Sequence, residues 1–338
     1  MDTFIKTALV TAVLIFCYCQ LTLGQTQEQR LEVLNSVPSD ESFIGNIVDL
    51  VADKNEIFVS DYQKNEILVY SKDGTLLRRI GDGVGEGPGE LFRVFDICLR
   101  GDSLFVANDG NGRFDLFHRD GQFIETYAQR YVFTSDFTVT SDGSLYGSAY
   151  SRGEDNHLLS ENNRLLSQIG RDGSLTKRFG DMYFEDENVV FLTSLGSIHQ
   201  SEGRFIYVPT FYETVRVFED TTETRRFDIY NETLDEVLAN NKDLEQFRPA
   251  VDYTFPLQDY IHASAVHESI VYAAFREPDR VRIMAYTVEG EPHGNYIYGD
   301  IQHLEDLRVR ALDVDDDGIY LGLEDNIPKI LVFAHPDE

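Results

Sequence analysis

The chain has 338 residues, with 59 acidic against 29 basic side chains and a formal net charge of −30. So acidic a surface gives phosphate backbones no footing, which excludes nucleic acid as a partner. The length suffices for one large repetitive domain.

Residues 1–24 read as a secretory leader: Lys6, an apolar run from Ala8 to Phe16, then small residues ending at Gly24. The run is too short to span a membrane. Phe16 before Cys17 and Tyr18 before Cys19 are too bulky for a lipid-attachment signal, which argues against a lipid anchor. The expectation is an exported protein, periplasmic or extracellular, of residues 25–338. Asp2 and Lys6 cancel, so the mature chain keeps the full charge. Cys98 is then the one cysteine left, no internal disulfide can form, and the residue reads as a small core side chain.

From Ile44 to Arg93 the sequence carries four short strand-like runs, Asn46–Val51, Glu56–Ser60, Glu66–Ser71 and Thr75–Ile80. Asp73-Gly74 between the last two supplies the positive φ of a tight hairpin. Four such strands cannot bury both faces alone, so the unit must stack on copies of itself. Asp96, Phe105-Val106 and Asp120-Gly121 repeat Asp49, Phe58-Val59 and Asp73-Gly74 at a spacing of 47 residues. With strands ending in VAD or VSD, the ILVY third strand, the DG hairpin and the GxGxGPGEL connector at Gly83–Leu91, the chain resembles the NHL-repeat type of β-propeller, as found in secreted bacterial six-bladed propellers. That resemblance implies a ring of blades whose first strands line a central channel.

Blade 3 spans about Ser135–Gly180, with Asp136 in phase with Asp49 and Asp96 and a long polar loop at Ser151–Asn163. Blade 4 uses runs near Ser197, Arg204, Thr214 and Thr224. A helical insert of about residues 231–250 follows. In it Thr233 caps and Glu236 completes a capping box for a helix over Leu234–Phe247. Blade 5 spans Ile261–Tyr298, and blade 6 takes Val309–Val314, Gly318–Leu323 and Lys329–Phe333. The last blade lacks a fourth strand, and Arg30–Val37 is a strand without a blade. Joining them closes an all-β, six-bladed propeller and removes the sheet edges.

Four features bear on chemistry. Asp49, Asp96 and Asp136 recur on inner strands and, with His262, could hold an ion such as Ca²⁺. The alternative is that each bonds to backbone N–H groups of the next blade. Asp313–Glu324 fits D-x-D-x-D-G-x5-E, which makes Asp313, Asp315, Asp317 and Glu324 calcium-ligand candidates. A strand follows the Gly where an EF-hand would have a helix, so the run also reads as a solvated hairpin. Arg93, Arg130, Arg152, Arg276 and Arg308 fall in loops expected on one face, with Phe92, Tyr131 and Tyr212 as stacking surfaces. Arg pairs bidentately with carboxylates, which suits an anionic ligand. His199 and His262 sit on adjacent inner strands at unequal depths, whereas amidating-lyase propellers, to which the general fold is similar, use several channel histidines. Serine-hydrolase, zinc-protease, P-loop and CxxC signatures are absent from the sequence.

The reading is an exported, monomeric binding propeller for a protein, glycan or small anionic ligand. The alternative is a metal-dependent hydrolase or lyase, lactonase-like or amidating-lyase-like, with its ion in the channel.

Overall fold

The computed structural model describes residues 26–128, 133–150, 164–183, 195–243, 257–299 and 307–335. The repeat unit folds as its short apolar runs, bounded by turn residues, require. Ile47–Asp53, Glu56–Asp61, Glu66–Ser71 and Leu76–Ile80 pair antiparallel in sequence order. At the hairpin, Gly74 takes φ +91°, and its carbonyl accepts from Ser39 N at 2.9 Å. A Cβ there would come within 2.8 Å of Ser39 N, so conformation and close approach both require glycine.

Five further sheets repeat this plan, with inner strands Val94–Arg100, Phe133–Val139, Gly196–Ser201, Ala263–His267 and Arg308–Asp315. The fold is a six-bladed β-propeller. Its core lies between blades: Phe58, Ile67, Val69 and Ile80 of blade 1 pack on Leu91, Ile97, Val106 and Phe117 of blade 2, all nearly inaccessible to water. Each such side chain contributes about 1.5–3 kcal/mol on burial, and stacking supplies the second face that one twisted sheet lacks.

The ring closes through the N-terminal segment, in two steps where the sequence suggests one strand. Val33–Val37 pairs antiparallel with Lys329–Ala334 and completes blade 6. Before it, Gln29–Arg30 pairs in parallel with the outer strand of blade 5, Pro292–Tyr298, and makes that sheet five-stranded. Leu31 divides the two strands because it is buried and its N–H is taken by Ile297 O at 2.8 Å.

The insert lies between the fourth and fifth blades in chain order. Its α-helix, Asp235–Lys242, is shorter than expected, and residues 244–250 lie outside the described residues. Asn231, not Thr233, caps the entry: its Oδ1 accepts from Thr233 N at 3.0 Å and closes a 3₁₀ turn, Glu232–Leu234. Asn231 wins because it is buried, with its Nδ2 held by Glu277 Oε1 at 3.0 Å. Leu234 and Leu238 pack on Tyr260 and Phe275. Among the described residues, no helix is long and apolar enough to cross a membrane.

Candidate functional site

The inner strands enclose a cavity of about 320 Å³ lined by Asp49, Asp96, Asp136, His199, His262 and Arg310, among others. Its carboxylates form a belt from blade to blade. Asp49 Oδ2 accepts from Ile97 N at 3.1 Å, and Asp96 Oδ2 from Phe137 N at 2.9 Å. Asp136 accepts from Ile198 N. Asp313, two residues deeper than the blade-6 position that matches Asp49, accepts from Ala52 N of blade 1 at 2.7 Å. Each of these N–H groups belongs to the next blade around the ring, so the aspartates sew neighbouring sheets together.

Burial first, and neighbouring negative charge second, hold Asp49, Asp96 and Asp136 well above the ordinary carboxyl range. The charge of Asp96 opposes ionisation of Asp49, and that of Asp136 opposes ionisation of Asp96. Burial pushes Asp313 up to about 7. These carboxyls line the cavity, yet protein surrounds them, and loss of hydration therefore dominates.

The channel histidines are neutral. Burial pushes His199 down to about 4, and its Nε2 lies 2.8 Å from Ser264 Oγ. Burial, with the nearby Arg276 charge, pushes His262 down to about 4, and its Nδ1 accepts from Arg276 N at 3.4 Å. His199 pairs with Ile206 in mid-strand, whereas His262 precedes its strand, so their depths differ as expected. Burial also pushes the Cys98 thiol up to about 12, which leaves it unreactive at neutral pH. Among the described residues, the channel carboxylates and histidines do not bring three ligand atoms within 4.8 Å of one another.

The calcium-like run is dispersed. Asp315 and Asp317 both hold Lys72 Nζ, at 2.6 and 2.5 Å, while Asp313 faces blade 1. Glu324 lies at the far end of strand Gly318–Glu324, where it accepts from Arg310 Nε at 2.6 Å and Asn46 Nδ2 at 2.5 Å. The pattern therefore spells a strand–turn–strand here, and its four acids do not converge.

On the face that carries the loops between blades, Phe92 and Arg93 meet Tyr62, which the sequence reading passed over. With Gly45, Asn46, Gln63 and Asn65 they line an open groove of about 600 Å³. Arg93 takes φ +54°, its N–H donates to Asn65 Oδ1 at 2.6 Å, and its Nε donates to Tyr62 OH at 2.8 Å. Phe92 is 41 % exposed. Its N–H donates to Asn108 Oδ1 at 2.9 Å, and its ring lies over Gly110, where any Cβ would collide. Beneath the groove, the fully buried Asp61 accepts from Gly45 N at 2.6 Å and from Asn46 N and Lys64 N at 3.1 Å. Tyr62 follows directly on the VSD strand end at Asp61, the one signal in the sequence that could have marked it.

Among the described residues, the other arginine and aromatic candidates do not join this groove. Arg276 stands by His262 at the channel, and Arg308 is exposed at the start of its strand. Tyr212 is not a stacking surface for a ligand: it is buried, with its ring stacked on Tyr183 at 5.3 Å. Arg130, Tyr131 and Arg152 lie outside the described residues.

Among solved structures, the chain is similar to a Bacteroides fragilis protein described as exported, with 14 % identity over 90 % of this chain and 94 % of that one and a TM-score of 0.60. It is also similar to a DUF4221 family member from Bacteroides vulgatus, at 11 % identity, 90 % and 97 % coverage and a TM-score of 0.55. A third likeness is to virginiamycin B lyase from Staphylococcus aureus, at 12 % identity, 90 % and 99 % coverage and a TM-score of 0.52. At such identities the likeness is one of fold. Among curated proteins, none matches the chain. The profile of DUF5128, described as a 6-bladed beta-propeller, matches residues 27–289, and with so much of the ring accounted for the chain belongs to that family.

Proposed function

We propose that the protein is an exported binding propeller that takes an acidic carbohydrate in the groove of Tyr62, Phe92 and Arg93, and that its blades are of the NHL type. The observation that carries this reading is the groove itself. It combines an exposed aromatic face, a guanidinium oriented by a phenol hydroxyl, and the side-chain amides of Asn46 and Asn65. A sugar ring offers C–H faces to Phe92, hydroxyls to the amides and a carboxylate to Arg93. The groove needs little rearrangement to bind, because Asp61, Asn65 and Asn108 already hold its backbone. Residues 1–24, with their leader pattern, support export.

The alternative is a metal-dependent hydrolase or lyase with an ion in the channel. It draws on the neutral histidines, but it requires ligand atoms to converge where the aspartates instead accept blade-to-blade N–H groups. That difference favours binding in the groove.

The test is calorimetric titration with oligogalacturonate, against a neutral oligosaccharide of equal length. Wild type is expected to bind the acidic chain only, and Arg93→Ala and Phe92→Ala are each expected to weaken binding about tenfold, ~1.4 kcal/mol. Equal binding by wild type and Arg93→Ala, or no binding of the acidic oligosaccharide, defeats the reading.

A further inference from the structure

The opposite face of the ring carries the hairpins that join first to second strands, and two of them meet where blade 5 adjoins blade 6. In blade 5 the turn runs from His267 through Glu268 and Ser269, which take φ +45° and +64°. Two consecutive non-glycine residues in the left-handed region are unusual, and they bring the Glu268 carboxylate back beside the His267 ring. In blade 6 the turn runs through Asp315, Asp316 and Asp317. Its outer two acids fold over Lys72 of blade 1, while Asp316 turns the other way, toward blade 5. There its Oδ1 lies 3.0 Å from His267 Nε2. The His335 ring, at the end of the last strand, stands edge-on to that of His267 with centroids 6.2 Å apart.

We propose that His267, Glu268 and Asp316, with His335 beside them, bind a divalent transition-metal ion that ties blade 5 to blade 6. One ligand atom from each of the three lies within 4.8 Å of the others. Donors around a tetrahedral Zn²⁺ are about 3.3 Å apart, given metal–ligand bonds of about 2.0–2.1 Å, so the three need to draw in by at most about 1.5 Å. An imidazole with two carboxylates is a donor set for a borderline ion. Hard ions such as Ca²⁺ favour all-oxygen cages with more ligands. Asp316 is 85 % exposed and His267 22 % exposed at the side chain, so an ion can enter from solvent and keep an open position on that side. The site is separate from the channel: none of its residues lines that cavity.

The experiment titrates Zn²⁺ into the tag-free, chelator-treated protein, with Co²⁺ absorption as a second probe of the donor set. One ion per chain and a rise in melting temperature are expected. His267→Ala and Asp316→Asn are each expected to weaken binding at least about tenfold, a loss that even a supporting residue of a metal site can produce. His262→Ala should leave binding unchanged. Asp316 sits at an exposed turn, so Asp316→Asn tests the site even if His267→Ala misfolds. The absence of stoichiometric Zn²⁺, or unchanged affinity in Asp316→Asn and His267→Ala, overturns the proposal. Loss in His262→Ala alone would place the ion in the channel and overturn it equally.

Discussion

Asp313 spends both carboxylate oxygens on backbone donors, Ala52 N of the next blade and Val314 N of its own strand. An unfolded aspartate releases its proton near 3.8, whereas burial holds this one to about 7. The folded chain therefore holds more protons between those values. The stability this group provides is complete below about pH 3.8 and is lost as pH rises through 7. Asp49, Asp96 and Asp136 shift in the same direction. Asn in place of Asp313 cannot ionise, so D313N is expected to flatten the decline in stability between pH 4 and pH 7. Thermal unfolding of wild type and variant across that range measures this, and parallel curves would show that Asp313 does not titrate there. The belt was half legible in the sequence. Asp49, Asp96 and Asp136 recur in phase with the repeat and invite comparison. Asp313 lies two positions out of phase, inside a run that imitates a calcium loop, and only its register against Tyr320 shows which way it points.

In blades 1 and 2 the loops owe their shape to the residue that ends the second strand. Asp61 gathers three backbone N–H groups below the groove, and Asn108 holds Phe92 N while its Nδ2 bonds Glu90 O and Asp115. Asp61→Ala leaves those donors without an acceptor in a buried place. It is expected to lower stability by at least about 2 kcal/mol and to reduce groove binding together with it. Urea denaturation measures the first effect, and an unshifted midpoint would show that water replaces the carboxylate. Connector loops reveal little of this in sequence, because their order comes from one acid making contacts to backbone, whose donors are the same at every residue. The glycine-rich connector behaves alike: Arg113 donates to Glu86 O, Gly87 O and Glu90 O. Strands were easier to read, because alternation and DG turns mark both their faces and their ends. The two-residue parallel strand Gln29–Arg30 was missed, being too short to alternate.

Across the whole molecule, the segment from Glu28 to Val37 touches blades 5 and 6 and, through Asn35 Nδ2 donating to Lys72 O at 2.9 Å, blade 1. Glu28 pairs with Arg282 at 2.8 Å, Gln29–Arg30 lies on blade 5, and Val33–Val37 completes blade 6. A chain that lacks residues 26–37 would expose the edge of Lys329–Ala334 and uncover Tyr296, which packs in the same cluster as Leu31. It is expected to self-associate and to lose its single cooperative unfolding transition. Calorimetry and light scattering report both, and a monomeric, cooperatively melting truncation would mean that the ring does not depend on this closure.

That closure also sets a timetable. Blade 6 holds the first long strand to be synthesised and three of the last, so its sheet cannot exist until nearly all of the polypeptide is available. Val33–Val37 must stay unpaired, and out of other sheets, while five blades assemble ahead of it. Contacts joining the two ends of a chain are the slowest to find one another. A protein that crosses a membrane before folding would meet this delay on the far side, with both ends present at once and the ring free to shut from either.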